Sequence, residues 1–320
     1  MNEFTTTRGN ALIDPVLHVW HVEIPLYLFL GGLVAGLLVL PAVDAWRRPD
    51  APRSRALVSI PWLAPVLLSA GMLFLWLDLE NRWNFFRFYF VLRPASPMSW
   101  GAWILLVIYP AAVLFALAQL PEELAESCSV RRRWLVRLPC LAAWARARRR
   151  PLALFSAAAG VALGIYTGVL LGALGARPLW NSAVLGPLFL VSGLSTGAAF
   201  MLLYRLGEGE RRLLGRVDML LIVVELALIG LWLLGLASGS AASRDAAGLL
   251  LGGRYTAAFW TMVVVVGLLV PLFGEWLEHR HGVVPGRAAA LLVLIGGFAL
   301  RWIVVAAGQH AGWTSLIALP

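Results

Sequence analysis

Eight long runs of apolar residues divide the chain, and charged residues are concentrated in the segments between them. A helix that crosses a bilayer needs about 20 mostly apolar residues. Runs of this length lie at residues 22–43, 57–77, 101–120, 152–174, 183–204, 218–237, 257–277 and 288–308. The pattern predicts an all-α integral membrane protein with eight transmembrane helices. Because eight is an even number, both termini should lie on one side of the membrane.

The arginines are distributed unequally between the two sides of this topology. The segments after the odd-numbered spans hold 18 arginines, the termini and the other segments hold 7, and Arg301 lies inside the eighth span. Basic residues collect in the cytoplasmic loops of membrane proteins. Both termini are therefore predicted to be extracytoplasmic. The basic segment 131–150 is expected either to rest on anionic headgroups or to be a solvated loop.

Composition supports the same class of protein. Hydrophobic residues make up 60% of the chain and charged residues 13%, whereas a soluble domain has about 25% charged residues. The net charge of +9 comes from arginines between apolar runs. Topology explains this charge better than a nucleic-acid partner does. The N-terminus lacks the pattern of a cleaved signal peptide.

The cysteines and histidines argue against a resident metal centre. Cys128 and Cys140 lie in one segment without CxxC spacing, and an iron–sulfur cluster or a structural zinc needs about four ligands. None of the five histidines lies in the middle of a predicted span, so no pair of haem ligands is expected. The chain is therefore predicted to have no haem or metal of its own. Redox chemistry would need a diffusible carrier or the centres of a partner protein.

Polar side chains gather at the predicted outer end of the first span, in the stretch WHVEIPLYLFLGGLVAG. His18 and His21 are three residues apart on one helix face. A histidine with a pKa near neutrality can hydrogen-bond a quinone carbonyl and relay its proton. His21 and His18 are therefore candidate quinone-binding residues, with an interfacial surface role as the alternative for each.

Other polar residues are predicted to reach the same side of the membrane. Asp78 ends the second span, Ser99 precedes the third, Tyr166 lies in the outer half of the fourth, and Asn181 follows it. The topology places all four with His21, and they complete the predicted set of quinone-binding residues. For Tyr166, an interfacial aromatic anchor is the alternative.

Three acidic residues are predicted to transfer protons. Charged groups inside spanning helices are costly and usually functional. Glu23 lies one turn into the first span, and Asp218 and Glu225 are seven residues apart on one face of the sixth. A solvated helix end is the alternative for Glu23 and for Asp218. A buried structural pair with Arg301 is the alternative for Glu225.

A short internal repeat suggests two halves. Residues Pro25–Gly31 and Pro187–Gly193 are similar, and each run continues into a seam of small residues spaced four apart. Such seams let helices approach closely. The repeat predicts two four-helix bundles, at residues 1–177 and 178–320. The first half would contain the quinone site and the basic loop 121–151.

Six stretches carry a further signal, and they follow one another along nearly the whole chain. They read IPLYLFLGGLVAG, LDLENRW, RPASPMSWG, YTGVLLGALGARPLWN, LFLVSGLSTGAA and GGFALRWIVVAAGQ. These stretches resemble the polysulfide-reductase membrane-subunit family, also called the NrfD-like family. The resemblance implies a haem-free, multi-pass subunit of the bacterial inner membrane that exchanges electrons with menaquinone or ubiquinone in anaerobic respiration.

The resemblance also implies partners and site residues. The expected partners are an extracytoplasmic, ferredoxin-type four-cluster iron–sulfur subunit and a molybdopterin or multihaem catalytic subunit. His21 and Tyr166 match the family's site histidine and tyrosine, and Asp78 matches an acid at the end of the second helix. Glu80 and Asn81 depart from the family's usual turn. A passive membrane anchor of such a complex and a secondary transporter are the alternative functions.

Overall fold

The computed structural model describes residues 20–48, 53–79, 82–90, 93, 96–120, 138–174, 177–281 and 287–311, and the regular structure of these residues is entirely helical. The helices are α1 Glu23–Arg47, α2 Arg55–Asp78, α3 Arg87–Phe90, α4 Pro97–Gln119, α5 Leu138–Ala147, α6 Arg149–Gly172, α7 Leu185–Leu202, α8 Glu208–Ala237, α9 Ala241–Leu251 and α11 Arg287–His310. Between α9 and α11 lies a composite helix, α10. The composite α10 has α-helical ends, Thr256–Ala258 and Val270–His281, and a π-helical middle, Phe259–Leu269.

Eight of these helices are long and apolar enough to cross a membrane, namely α1, α2, α4, α6, α7, α8, α10 and α11. This confirms the predicted all-α, multi-pass architecture. The division into two bundles and the side of the membrane on which the termini lie remain predictions. We call the end of the molecule at which α1 begins the His21 end, and the end at which α1 stops the arginine-rich end.

One predicted boundary is wrong, because α8 begins ten residues before the predicted start at 218. The first turns of α8 are polar, and Glu210 provides hydrogen bonds for them. Its carboxylate accepts from the backbone N–H of Gly207 at 3.1 Å and from that of Ser54 at 2.8 Å. One side chain therefore caps its own helix and contacts the start of α2.

Helix α1 is the centre of the molecule and packs against α2, α6, α7 and α11. Helices α1 and α7 approach each other closely. An ideal Cβ at Gly36 would lie 2.6 Å from the carbonyl oxygen of Gly193, and one at Gly193 would lie 2.6 Å from that of Gly32. The two small-residue seams of the internal repeat thus pack against each other, and each leaves room for the other's backbone.

Arg301 joins α11 to the same two helices. It is fully buried, and its guanidinium donates to the carbonyl oxygens of Leu28 at 3.2 Å, Phe189 at 3.2 Å and Gly297 at 2.8 Å. It also donates to the hydroxyl of Ser192 at 3.1 Å. A buried charge is stable only when it is hydrogen-bonded in this way, so Arg301 acts as a structural clamp between α1, α7 and α11.

Candidate functional site

A cavity of about 420 Å³ lies between α1, α2, α4 and α6 toward the His21 end. Its wall is mostly apolar but contains Tyr27, Tyr89, Tyr109 and Tyr166, which are four of the six tyrosines of the chain. The connector between α2 and α4 closes one side through Phe85 and Tyr89. A large apolar cavity with a few convergent polar groups is typical of a small-molecule site.

The cavity reaches the surface between α2 and α4. Leu73 of α2 is 53% exposed and Met98 of α4 is 51% exposed, although both line the cavity. In a spanning protein this side faces lipid, so the cavity can be entered from within the bilayer. At the rise of an α-helix, Tyr109 lies about 12 Å deeper along α4 than Gly101.

The tyrosine hydroxyls of the cavity differ in whether they have a hydrogen-bond partner in the protein. Tyr109 contacts the hydroxyl of Ser69 at 2.9 Å, and Ser69 lies 2.8 Å from the carbonyl oxygen of Pro65. In contrast, the hydroxyls of Tyr27, Tyr89 and Tyr166 have no hydrogen-bond partner among the described residues. Three donors are therefore available to a bound molecule.

Tyr89 lies in the connector, outside the spanning helices. Burial, and to a smaller extent the neighbouring Tyr109, raises the pKa of Tyr89 above its ordinary value. Its hydroxyl therefore stays protonated at neutral pH and can donate a hydrogen bond into the cavity.

Tyr166 reaches the cavity because α4 has a glycine opposite it. A Cβ at Gly101 would overlap the hydroxyl and the ring of Tyr166. The predicted site residue Tyr166 is thus buried in the cavity wall. Its position depends on a residue in the RPASPMSWG stretch of the sequence.

His21, Glu23 and Asp78 lie close to one another at the His21 end. The carboxyl group of Asp78 is within electrostatic reach of both Glu23 and His21. His21 itself is exposed, and Asp78 is half-buried. Asp78 stands between Trp76 and Leu79, which both line the cavity. His21, Glu23 and Asp78 are not part of the cavity wall, but none of the three is fully buried, so they could exchange protons with water at this end.

Hydrogen bonds to α11 fix the start of α1. The side chain of Gln309 accepts from the backbone N–H of Trp20 at 3.0 Å and donates to its carbonyl oxygen at 2.9 Å. The ring of Trp20 stacks on that of Trp180 with 5.2 Å between centroids. These contacts therefore hold the backbone next to His21 in place.

The remaining predicted quinone ligands lie elsewhere or cannot be placed. The hydroxyl of Ser99 accepts from the backbone N–H of Arg93 at 3.0 Å, and Ser99 is not part of the cavity wall. Asn181 is exposed in the connection between α6 and α7. His18 lies outside the described residues. Quinone roles for these three residues stay predictions.

Asp218 and Glu225 are buried in the other part of the molecule, among α7, α8, α10 and α11. Ser195 donates to Asp218 at 2.7 Å, and Asp218 is within hydrogen-bonding reach of Glu275. Two neighbouring carboxyl groups can hydrogen-bond only if they share a proton. Glu225 lies near Arg301. Because Asp218 is 0% exposed, the alternative of a solvated helix end is wrong, while the proton-transfer role stays a prediction.

Metal ligands do not cluster in the part of the chain that the structure describes. No group of three or more histidine, cysteine or acidic side chains there could hold a metal ion. Cys140 is a free, exposed thiol, and Cys128 lies outside the described residues.

Sequence reasoning missed Tyr27, Tyr89 and Tyr109. A signal was present for two of them, because Tyr27 is the sole hydroxyl-bearing residue of the first predicted span and Tyr109 that of the third. A lone hydroxyl in an otherwise apolar span needs a polar partner. That observation could have nominated both residues. Tyr89 lies outside the predicted spans, and only the folded connector brings it to the cavity.

The fold and the cavity define a multi-pass membrane protein with a lipid-accessible, tyrosine-lined cavity. The sequence identifies the family. Residues 11–311 match the family model described as "Polysulphide reductase, NrfD", and the chain therefore belongs to this family. It is 31% identical to a polysulfide reductase chain of Wolinella succinogenes over 308 residues, which cover 91% of this protein and 94% of the relative.

Two further relatives match over similar lengths. The chain is 31% identical to the protein NrfD of Escherichia coli, covering 91% of this chain and 95% of the relative. It is 26% identical to a tetrathionate reductase subunit of Salmonella typhimurium, covering 93% and 78% respectively. Nearly the whole chain is therefore similar to these relatives, two of which are named as a chain or a subunit of a reductase.

Proposed function

We propose that this protein is the quinone-reactive membrane subunit of a respiratory oxidoreductase complex, and that menaquinone or ubiquinone binds in the tyrosine-lined cavity. One observation carries the proposal: three buried or half-buried tyrosine hydroxyls without a partner among the described residues face a lipid-accessible apolar cavity. A quinone ring presents two carbonyl acceptors on an apolar body. The hydroxyls of Tyr27, Tyr89 and Tyr166 match those acceptors.

The length of the cavity also suits the tail of a quinone. Tyr109 and Ser69 satisfy each other at the deep end, so the surface there presents few free polar atoms. The apolar wall around Leu73 and Leu105 can accept the start of an isoprenoid tail. The headgroup is then expected at the Tyr166 level and the tail toward the membrane centre.

The acidic and basic groups of the His21 end would carry the protons. When a quinol is oxidised, its two electrons pass to the partner subunit and its two protons leave through His21, Asp78 and Glu23. When a quinone is reduced, both flows reverse. In this proposal Tyr166 and Tyr27 orient the carbonyls, because hydrogen bonding at fixed positions organises the ring for proton exchange.

The orientation and the partners are part of the same proposal. The arginine distribution supports a His21 end on the extracytoplasmic side of a bacterial inner membrane, with the cavity in the first half, 1–177. A ferredoxin-type four-cluster iron–sulfur subunit would dock there and connect to a molybdopterin or multihaem catalytic subunit. The reductase names of the relatives support such an assembly.

Quinone-linked turnover of the purified native complex tests the proposal. We expect His21→Ala to lower turnover while the complex still assembles, because the proton relay is interrupted. Full turnover in the assembled His21→Ala complex would contradict the site. A passive anchor would show no saturable binding of a quinol-analogue inhibitor, and a transporter would not co-purify with an iron–sulfur protein.

Asp218 and Glu225 form a second part of the proposal. Both acids are buried beside Ser195, Ser192 and Arg301. This burial supports a role in binding and releasing protons in the other half of the molecule. If these acids transfer protons, Glu225→Gln should reduce proton movement per quinol in vesicles and leave quinol binding unchanged. Unchanged proton movement would restrict Glu225 to a structural pairing with Arg301.

A further inference from the structure

The connector at residues 82–90, RWNFFRFYF, has two different faces. It consists of a 3-10 turn, Arg82–Asn84, and the short helix α3. One face contributes Phe85 and Tyr89 to the cavity wall. The opposite face is apolar and exposed, with Trp83 83% exposed and Phe90 84% exposed. Large aromatic residues rarely stand in water in such a group, so something covers them.

Internal contacts hold the connector at the level where α2 ends. Arg82 donates to the carbonyl oxygen of Leu77 at 2.9 Å, and the indole of Trp76 donates to the carbonyl oxygen of Arg82 at 3.1 Å. The guanidinium of Arg82 also lies 5.6 Å from the centre of the Trp76 ring. The connector therefore cannot extend far from the end of a membrane-spanning helix.

The exposed aromatic face continues onto surface that faces lipid. Leu77 of α2 and Trp100 and Trp103 of α4 are exposed beside it. Tryptophan and other amphipathic side chains collect at the membrane–water interface. The two exposed arginines of the connector, Arg82 and Arg87, provide the positive charge that lipid phosphates attract. Both the position and the chemistry match the headgroup layer.

We propose that connector 82–90 is an interfacial membrane-binding element: Trp83, Phe86 and Phe90 insert below the phosphates of the leaflet at the His21 end, Arg82 and Arg87 contact those phosphates, and Phe85 and Tyr89 close the cavity. The connector then holds the lipid-facing opening between α2 and α4 at the depth where an amphiphilic headgroup lies. This role in positioning the opening rests on the proposed quinone function, whereas the insertion of the connector into lipid does not.

Depth-dependent fluorescence quenching tests the insertion directly. In the full chain with Cys128→Ser and Cys140→Ser, Trp83→Cys and Phe90→Cys are each labelled with an environment-sensitive fluorophore and reconstituted in nanodiscs of phosphatidylethanolamine and phosphatidylglycerol. Leu73→Cys, exposed deeper on α2, and Gly209→Cys, exposed at the arginine-rich end with open space around it, are the matched controls.

We expect labels at 83 and 90 to be quenched most by lipids that carry the spin label near the glycerol backbone, and the label at 73 by lipids labelled near the chain end. The label at 209 should be quenched least by either lipid. Unquenched labels at both 83 and 90 would overturn the proposal. It would also be overturned if quenching were lost in the assembled complex, since the face would then bind a partner subunit.

A kinetic experiment tests the consequence for quinone. In the assembled complex, Trp83→Ser with Phe90→Ser should raise KM for quinol several-fold and leave kcat near the wild-type value, because the opening is misplaced while the cavity is intact. If lipid quenching is observed but KM is unchanged, insertion stands and the role in quinone entry is wrong. If the wild-type complex does not use quinol, the proposed function fails and the quenching result is unaffected.

Discussion

The surroundings of Tyr166 and those of Arg301 are both built from apolar helices, but the two regions treat polar side chains in opposite ways. Around Arg301 every guanidinium nitrogen donates a hydrogen bond to α1, α7 or α11 itself. Around Tyr166 there is open volume, and its hydroxyl has no partner among the described residues. A polar group that the protein satisfies stabilises the fold, whereas one that the protein leaves available in a cavity indicates a ligand.

The largest effect should follow from removing the Arg301 clamp. Arg301→Met leaves the carbonyl oxygens of Leu28 and Phe189 without this donor and Glu225 without its charged neighbour. We expect the free energy of unfolding to fall by about 3–5 kcal/mol, as when one partner of a buried charged pair is removed. Thermal unfolding in detergent measures the change. Arg212→Met, at an exposed position, is the control, and equal melting temperatures for both variants would contradict the clamp.

A smaller loss of stability is expected at the crossing of α1 and α7. The Cβ of Gly36→Ala would meet the backbone of Gly193 and Gly197, so the helices must separate. Overpacking of this kind costs about 1–3 kcal/mol. In the same assay Gly230→Ala, where a Cβ meets open space, should be neutral or more stable by up to about 1 kcal/mol through helix propensity. If Gly36→Ala matched Gly230→Ala, the close crossing would be wrong.

Removing the Tyr166 hydroxyl should affect binding and leave stability unchanged. The hydroxyl has no partner among the described residues to lose, but it would lose its bond to the quinone. One hydrogen bond contributes about 0.5–1.5 kcal/mol, so Tyr166→Phe should raise KM for quinol up to roughly tenfold. Steady-state turnover of the assembled complex measures this. Tyr204→Phe, partly exposed at the arginine-rich end, should leave KM unchanged, and an unaltered KM in both variants would remove Tyr166 from the site.

The smallest effect is expected for Gly101→Ala, which changes the position of Tyr166 and not its chemistry. The new methyl group overlaps the Tyr166 side chain, so the ring must move. We expect a rise in KM of about threefold, and less-than-additive effects when Gly101→Ala is combined with Tyr166→Phe, because contacting residues couple. Fully additive effects would indicate that Gly101 acts independently of Tyr166.

The apolar pattern is sufficient to predict the eight spans, and it also places Arg301 inside one of them. The glycine seams of α1 and α7 predict close approach, but a single sequence does not identify which seam meets which. The early start of α8 escapes prediction for a related reason. The hydrogen bond that the backbone N–H of Ser54 donates to Glu210, next to the cap of α8, joins residues far apart in sequence.

The site is only partly predictable because periodicity gives the depth of a residue in the membrane and not its neighbours. Tyr166 and Asn181 are both predicted at the outer side, yet Tyr166 lines the cavity and Asn181 is exposed outside its wall. Ser99 shares their depth, but its hydroxyl binds the backbone of Arg93. The direction in which each side chain points depends on helix rotation, which packing against the neighbouring helices determines.

Photoaffinity labelling with an azidoquinone tests the central claim most directly. In the native complex, mass spectrometry of the labelled protein should find the adduct on peptides from the cavity wall, those containing Trp76, Gly101 or Tyr166, and excess natural quinone should suppress it. Adducts confined to α8, α10 and α11, or labelling that excess quinone does not suppress, would contradict a quinone site in this cavity.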